Sequence, residues 1–181
     1  PIWQDGAEPG YWLGTDALGR DMLSRMIYGA RVSLVVGVLA VLLQGAIGVL
    51  LGLLSGYYGK WVDNILMRIA DVQQSIPFLI LAVALAAVVR PSLSNIILVL
   101  GISGWVTYSR VVRSQVLSVR ELEFVEAARA LGSGHLRIIF RHILPNVMSS
   151  ITVIGTLTVS TMILAEASLS FLGMGVPPPT P

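Results

Sequence analysis

The stretch VSLVVGVLAVLLQGAIGVLLGLLSGYYG, residues 32–59, runs for 28 residues without a charged side chain. A helix that crosses a bilayer needs about 20 consecutive apolar residues, so this stretch is long enough to span a membrane. The whole chain has the same character, because 55% of its 181 residues are hydrophobic and only 12% are charged. Ordinary soluble domains carry about 25% charged residues. These values exclude a soluble single-domain enzyme and predict a protein whose main solvent is lipid.

Three further uncharged stretches predict three more spans. They cover residues 72–89, 91–109 and 143–165, which are 18, 19 and 23 residues long. Gln73 and Pro77 interrupt the start of the second stretch, which predicts a kinked helix whose freed backbone carbonyl faces protein or a cavity. We therefore predict an all-α, polytopic membrane helix bundle with four spans.

The basic residues predict how these spans are oriented. Cytoplasmic loops carry an excess of Lys and Arg, and six of the twelve basic residues lie between the third and fourth spans. They are Arg110, Arg113, Arg120, Arg129, Arg137 and Arg141. Segment 110–145 is therefore predicted to be cytoplasmic, and alternation of the spans places both ends of this chain outside.

The chain divides into three predicted regions. Residues 1–31 form an external segment, in which the apolar spacing from Met22 to Ala30 predicts a short amphipathic helix at the interface. Residues 32–165 form the transmembrane core with its cytoplasmic loop 110–145. Residues 166–181 form an external loop. The chain opens at Pro1 and stops in a Pro-rich run, so we expect it to be part of a longer protein.

Gly48, Gly52 and Gly56 recur every four residues in the first span. Small residues at this period allow helix backbones to approach closely in lipid. The stripe predicts either an interface with another subunit or packing within the same chain, and the spacing alone does not decide between them.

Segment 110–145 has its own pattern. Ser118 and Glu121 have the spacing of a capping box, which predicts that a helix starts there. The apolar residues from Leu122 to Leu131 continue at helical spacing, and Gly132 is expected to end this helix. A second helix is predicted from Ser133 or His135 toward Pro145.

Several polar residues near the spans are candidates without an assigned role. Glu166 is either an ionisable group at membrane depth, which would be a functional candidate, or an interfacial carboxylate that caps a following helix. Asp71 and Arg68 are spaced for a local ion pair, and His135 and His142 are predicted to pack within the loop. Uncharged polar residues that suit a path through the membrane are Gln73, Gln74, Ser75, Ser103, Thr107, Thr156, Thr158 and Ser160. Hydroxyls in membrane helices also bond helix to helix, so the residues that contact substrate stay unknown.

A family resemblance rests on motifs spread over nearly the whole chain. Glu126-Ala127-Ala128, three residues, Gly132, nine residues and then His142-Ile143-Leu144-Pro145 resembles the EAA signature of permease subunits of ATP-binding cassette (ABC) importers, which ends in I-x-L-P. His142 replaces the usual isoleucine, and the R-H-I-L-P-N ending resembles that of the peptide and nickel branch. Matching segments are LGTD with LGRD at 13–21, GARVSL at 29–34 and AEASLSFLG at 165–173. The chain thus resembles the C-type permease of dipeptide, oligopeptide and nickel importers.

The resemblance implies a type I (MetI-like) permease of six helices, of which this chain would hold four, in a bacterial inner membrane. The implied partners are a homologous second permease, two cytoplasmic ATPase subunits and an extracytoplasmic solute-binding protein. Membrane lipid is a further partner, since headgroups or ATPase carboxylates both suit Arg129, Arg137 and Arg141. The cargo is expected to be a dipeptide or oligopeptide, with nickel or another peptide-like solute as the alternative.

The same resemblance implies roles in the loop. Glu126, Ala127, Ala128 and Gly132 would belong to a coupling helix that docks on the ATPase, with Ala127 and Ala128 as its small contact surface. Leu144 and Pro145 would join the loop to the fourth span. The ATP would be bound by the partner ATPases, so no cofactor and no metal are expected in this chain.

Other functions have less support. The chain has no cysteine, two histidines and no GxxxxGK[ST] motif, which removes a disulfide scaffold, a thiolate metal site and ATP hydrolysis by the chain itself. An intramembrane enzyme would need paired carboxylates or an activated nucleophile in the spans. A net charge of +2 over a chain of this length is not a nucleic-acid footprint. A secondary transporter or channel stays the less favoured alternative.

Overall fold

A computed structural model describes residues 10–16 and 18–175 of the chain, and every regular element within them is helical. The helices are α1 (Met22–Tyr58), α2 (Lys60–Gln74), α3 (Phe78–Val88), α4 (Leu93–Ser103), α5 (Trp105–Val119), α6 (Glu123–Ala130), α7 (His135–Arg137) and α8 (Leu144–Phe171). Residues 138–143 form a π-helix between α7 and α8. The predicted all-α class is confirmed. The predicted external loop, residues 166–181, is helical in its first part, because α8 continues to Phe171, and its residues 176–181 lie outside the described residues.

Helix α1 begins earlier than predicted. Asp21 caps it by accepting hydrogen bonds from the backbone N–H groups of Leu23 and Ser24, and the helix then runs for 37 residues without a break. The separate amphipathic helix expected before the first span is therefore wrong: its residues are the first turns of α1, because neither a proline nor a left-handed glycine interrupts the hydrogen-bond ladder. At 1.5 Å per residue, α1 is about 55 Å long, well beyond the roughly 30 Å of a hydrocarbon core.

The glycine stripe packs α1 against α5 of the same chain. A Cβ atom added at Gly48 would lie 2.5 Å from the Cβ of Tyr108, and one at Gly56 would lie 2.7 Å from the Cβ of Val116. Only glycine allows this close approach. Of the two interpretations of the stripe, the structure supports packing within the chain.

Two of the predicted spans are broken helices. Helices α2 and α3 meet at 84° across Pro77, and α4 and α5 meet at 41° across Gly104. Two continuous helices, Met22–Tyr58 and His135–Phe171, are long and apolar enough to cross a membrane. The described part of the chain has up to four such spans if each bent pair counts as one, in agreement with the four predicted.

The buried side chains form two main clusters. The first, which we call the distal cluster, joins α1, α3, α4 and α8 around Val36, Ala40, Leu100 and Leu169. The second, the loop-proximal cluster, contains Leu53, Tyr57, Val112, Val116, Val119, Val125, Ala128, Ile138, Ile139, Ile143 and Val147. Because this cluster includes residues of α6 and the π-helix, the predicted loop is anchored in the core of the bundle.

The predicted boundaries of segment 110–145 need correction. Helix α5 continues to Val119, and the hydroxyl of Ser118 donates to the carbonyl of Ser114 instead of capping a new helix. The capping-box prediction is wrong because Val112 and Val116, packed on α1, extend α5 past it. The second predicted helix does start at His135, but it is continuous with the fourth span, so only residues 120–134 connect α5 to the helix His135–Phe171.

Candidate functional site

Helix α6 carries the sequence Glu126-Ala127-Ala128 and packs with α5 and the π-helix in the loop-proximal cluster. Val125 and Ala128 are buried in the loop-proximal cluster, whereas Glu126 and Ala127 are exposed. The sequence interpretation gave both alanines to a contact surface. The structure leaves only Ala127 on that surface, because Ala128 is 7% exposed and anchors the helix.

Gly132 ends α6 as predicted. Its φ of +77° is left-handed, and the backbone N–H of Ser133 donates to the carbonyl of Ala128 while that of Gly132 donates to Arg129. These two bonds form a Schellman motif, which satisfies carbonyls at the helix end and reverses the chain. We call residues 131–134 the elbow.

Apolar side chains around the elbow are exposed. Leu131 is 87% exposed, Leu136 is 64% exposed and Phe140 is 50% exposed. The sequence interpretation placed Leu131 on the buried stripe of α6, but the stripe ends at Ala128 because the chain reverses directly after it. Contiguous exposed apolar groups commonly mark a protein contact surface, so the elbow and Ala127 form a candidate docking surface.

The π-helix connects this surface to α8. The backbone N–H of Leu144 donates to the carbonyl of Ile139, five residues earlier, and Leu144 is half-buried. Pro145 is exposed and has no N–H group to donate. It was predicted to join the loop to the fourth span. It lies in the first turn of α8, inside a helix that is continuous from His135. There the side-chain amide of Asn146 donates to the carbonyl of His142 at 2.7 Å, and the wider π turn directly precedes it.

Two contacts tie the loop to the end of α1. The hydroxyl of Tyr57 lies 2.9 Å from Nδ1 of His135, and the guanidinium of Arg120 donates to the carbonyl of Gly56 at 2.9 Å. His135 was predicted to pack within the loop, but its contact is with Tyr57 at the end of α1, outside the loop. A displacement of the elbow would therefore pull on the end of α1.

Ion pairs hold α2 to α5. Asp63 accepts hydrogen bonds from Arg113 and from the hydroxyl of Ser55. Asp71 pairs with Arg110 at 2.6 Å, not with Arg68 as its spacing suggested, because the neighbouring helix brings Arg110 to it.

A cavity of about 560 Å³ lies where the two broken helices meet α1 and α8. We call it the polar cavity after the eight polar side chains in its otherwise apolar lining. It brings together five of the eight predicted path residues: Gln73, Gln74, Ser103, Thr107 and Thr158. Ser75, Thr156 and Ser160 do not line it. The sequence interpretation missed Gln44, Thr161 and Ser168, which do. The sequence did offer a signal for Gln44, because its polar amide lies within the 28-residue uncharged stretch 32–59.

Two glutamines close the backbone gaps at the helix breaks. The amide nitrogen of Gln73 donates to the carbonyls of Ile102 and Ser103, at 3.1 and 2.9 Å, and its oxygen accepts from the indole of Trp105. These carbonyls lose helical partners at the bend, and a side chain takes their place, as broken helices in membranes require.

Gln44 holds the other side of the bend. Its amide nitrogen donates to the carbonyl of Leu100 and to the sulfur of Met162, both at 2.9 Å. The same amide lies against Gly104, where an added Cβ would come within 2.4 Å of it. Gly104 therefore permits the contact between Gln44 and the bend.

Glu166 lies inside α8 and is 6% exposed. Its carboxylate accepts hydrogen bonds from Ser33 of α1 at 2.8 Å and from Ser170 at 2.7 Å. The favoured interpretation, a cap for a following helix, is wrong, because α8 continues through Phe171. No group of three or more His, Cys, Asp or Glu within residues 10–16 and 18–175 is arranged to hold a metal ion.

Comparison with known proteins adds a family match. Residues 48–181 match the model of the family described as "Binding-protein-dependent transport system inner membrane component". Over 176 residues the chain is 46% identical to the dipeptide transport system permease protein DppC of Alkalihalophilus pseudofirmus, a match that covers 97% of this chain and 58% of that protein.

Two further relatives are similar. The glutathione transport system permease protein GsiD of Pectobacterium atrosepticum is 42% identical, over 98% of this chain and 59% of that protein. The oligopeptide transport system permease protein OppC of Bacillus subtilis is 46% identical, over 93% of this chain and 55% of its own length. The chain thus spans between half and two thirds of the length of the curated relatives it matches.

Proposed function

The chain belongs to the family of binding-protein-dependent transport system inner membrane components, and from that membership we propose that it is a permease subunit of an ATP-driven peptide importer. It forms one half of the path for dipeptides or oligopeptides across the membrane. The relatives described above are named for dipeptide, glutathione and oligopeptide transport, which supports a peptide as the cargo. Nickel, the alternative, stays an untested prediction.

The observation that carries the proposal is the rigid connection between the elbow and the polar cavity. Helix α5 enters the loop directly from the bend at Gly104, and α8 leaves the loop and runs on as a wall of the cavity. A force applied at the elbow therefore reaches one wall along the continuous helix His135–Phe171. It reaches the other wall through α6, which packs on α5 in the loop-proximal cluster. The ATPase subunits supply that force by docking on Ala127 and the apolar elbow residues.

The remaining partners follow from the same arrangement. A homologous second permease completes the path, because a polar cavity open on one side is unfavourable against lipid. Two cytoplasmic ATPases supply the energy, and an extracytoplasmic solute-binding protein delivers the peptide. The loop lies in the cytoplasm and the turn between α3 and α4 lies outside.

A secondary transporter is the second candidate, and the cavity lining speaks against it. Ion or proton coupling usually requires an ionisable group on the path. None of the residues that line the polar cavity is Asp, Glu, His, Lys or Arg. A lining without ionisable groups agrees better with energy supplied by a partner ATPase than with energy supplied by a coupled ion or proton.

The test places single cysteines on the two neighbouring alanines of α6. The full-length permease, in membranes with its ATPases, carries either Ala127→Cys or Ala128→Cys, and no native cysteine is present in this part of the chain. We expect Ala127→Cys to crosslink to a cysteine on the ATPase in a nucleotide-dependent manner. The buried control, Ala128→Cys, should give much less product.

Absence of a crosslink at both positions, together with labelling of Ala127→Cys by an impermeant thiol reagent from outside, would refute the proposal. Such labelling would show that α6 lies on the outer side of the membrane, where a cytoplasmic ATPase could not reach the elbow.

A further inference from the structure

We propose that the polar cavity binds the N–H groups of the cargo, above all the ammonium end of a peptide, through uncharged oxygen acceptors. The inference rests on the proposed function, and it adds a site and a chemical preference to it. Most protons of the polar side chains in the cavity wall are already engaged in hydrogen bonds within the protein.

Four hydroxyl groups in the wall share one arrangement. Each donates to a backbone carbonyl three or four residues earlier in its own helix. The pairs are Ser103 with Val99 at 2.7 Å, Thr158 with Ile154 at 2.8 Å, Thr161 with Thr158 at 2.7 Å and Ser168 with Leu164 at 2.8 Å. A carbonyl cannot donate, so each hydroxyl must supply the proton. A hydroxyl has one proton and two lone pairs, so these four groups offer the cavity acceptors only.

The amides follow the same rule. Gln44 and Gln73 each make two hydrogen bonds with the amide nitrogen, which uses both N–H protons. Their oxygens keep lone pairs, of which that of Gln73 accepts from Trp105. Gln74 and Thr107 have no hydrogen-bond partner within the described residues, so they are the two wall side chains that keep protons to donate. No side chain caps the start of α3 or of α5, so the backbone N–H groups there are further donors.

The resulting wall is rich in acceptors and carries no formal charge. An ammonium or amide N–H group entering the cavity finds side-chain oxygens to donate to on α1, α2, α4 and α8. A carboxylate finds donors only at Gln74, Thr107 and the starts of α3 and α5, and elsewhere in the cavity it loses its hydration. Neutral acceptors hold a cation without the deep attraction of a carboxylate, as a path requires if the cargo is to leave again. A volume of about 560 Å³ lies within the range of small-ligand sites.

The first test removes one acceptor without changing shape. The complete importer, reconstituted in vesicles with its ATPases and saturating binding protein, takes up radiolabelled dialanine. Thr158→Val should lower uptake roughly threefold to tenfold, the effect of one lost hydrogen bond. Thr158→Ser, which keeps the oxygen, should restore it. Uptake is divided by the amount of assembled importer in the vesicles, so that a folding defect is not read as lost transport.

Thr152→Val is the matched control. Thr152 lies on the same helix and donates in the same way, to the carbonyl of Met148 at 3.0 Å. It lines an apolar groove between α1 and α8 and not the polar cavity. Its substitution should leave uptake unchanged.

The second test compares two substitutions that place opposite charges at the same position of the cavity. Thr161 is exposed at the cavity, and Thr161→Lys and Thr161→Glu introduce side chains of opposite charge there. We expect Thr161→Lys to reduce uptake of dialanine at least several-fold more than Thr161→Glu does, because a fixed cation repels the ammonium end and uses the acceptors around it.

Three results would overturn the inference. Thr158→Val with wild-type uptake would show that the acceptor is not used. Loss in both Thr158→Val and Thr158→Ser would indicate packing. Thr161→Glu as harmful as Thr161→Lys, or more so, would exclude a preference for the ammonium end. If the proposed function itself is wrong, the result is different: the unmodified importer shows no ATP-dependent uptake of dialanine.

Discussion

The close approach of α1 and α5 requires glycine at the contact positions, because only its side chain is a single hydrogen atom. At Gly52 an added Cβ would lie 2.7 Å from the carbonyl oxygen of Ser109 and 2.8 Å from the Cβ of Val112. Both obstacles belong to the backbone or to the stiff base of a β-branched side chain, so neither can move aside easily. The interface tolerates no larger residue without separating the two helices.

We therefore predict that Gly52→Ala destabilises the assembled permease by about 1–3 kcal/mol, the usual cost of overpacking. Gly29→Ala is the control in the same helix, since no atom lies within 4 Å of its added Cβ and alanine favours helix by up to about 1 kcal/mol. Thermal unfolding of the purified complex in detergent measures both. An equal or higher melting temperature for Gly52→Ala would contradict the packing described.

A second residue-scale feature precedes α1. Asp16 accepts hydrogen bonds from the backbone N–H groups of Arg20 and Leu18 and pairs with the side chains of Arg20 and Arg25. The backbone bond from Arg20 contributes most, and together these donors hold the pKa of the Asp16 carboxyl well below its ordinary value of 3.8.

Because the pKa of Asp16 is lower in the folded state, the stability of the turn around it depends on pH. The interactions of Asp16 stabilise the turn at every pH above 3.8 and are lost as the pH falls below that value toward the depressed pKa. We predict that the carboxyl resonance of isotope-labelled Asp16 in the micelle-bound chain titrates well below pH 3.8. Arg20→Gln with Arg25→Gln should raise that midpoint only in part, since the backbone donors remain. Titration near 3.8 in the unmodified chain would show that the turn is not formed.

At the scale of elements, the loop depends on one left-handed residue. Gly132 ends α6 at φ +77° and has open space where a Cβ would stand. Gly134, two residues on, also has open space but an ordinary φ of −67°. The two positions therefore separate backbone strain from crowding.

We predict that Gly132→Ala strains the elbow by about 1 kcal/mol, the cost of a left-handed alanine, and that Gly134→Ala does not. If the elbow couples the permease to its ATPases, Gly132→Ala lowers peptide uptake per ATP hydrolysed in reconstituted vesicles. Equal coupling ratios in the two variants would show that the angle of the elbow is not used. The amount of assembled complex, measured in parallel, separates a folding defect from a coupling defect.

The sequence predicted elements well where the signal was local and poorly where packing decided. Gly132 needs a left-handed φ, and its effect was predicted correctly. The capping box at Ser118 was a local signal as well, but contacts between α5 and α1 outweighed it. The break at Gly104 was not predicted, because its partners Gln44 and Gln73 are distant in sequence and meet only in the folded bundle. The cavity was predicted only in part for the same reason.

At the scale of the whole molecule, two 37-residue helices, α1 and His135–Phe171, determine the shape. Each is about 55 Å long, so neither fits within a hydrocarbon core of about 30 Å. The loop-proximal cluster includes the start of the second helix and the end of the first. The first turns of α1, residues 22–31, carry its charged side chains and extend it on the side away from the elbow. Residues 135–142 extend the second helix on the side of the elbow, where the basic residues of segment 110–145 also lie.

This shape and the distribution of charge lead to a prediction for three exposed positions. In membrane vesicles of known orientation, an impermeant thiol reagent should label Ser94→Cys, near the turn between α3 and α4, only from outside. It should label Ala130→Cys, beside the elbow, only from the cytoplasmic side. Val153→Cys is 59% exposed in the chain, yet it should react from neither side until detergent removes the lipid, because it lies in the apolar part of α8. Labelling of Ser94→Cys and Ala130→Cys from the same side would break the alternation of spans, and rapid aqueous labelling of Val153→Cys would place the bilayer elsewhere on the bundle. The three positions together thus test the orientation and the depth of the whole molecule, which the separate helices leave open.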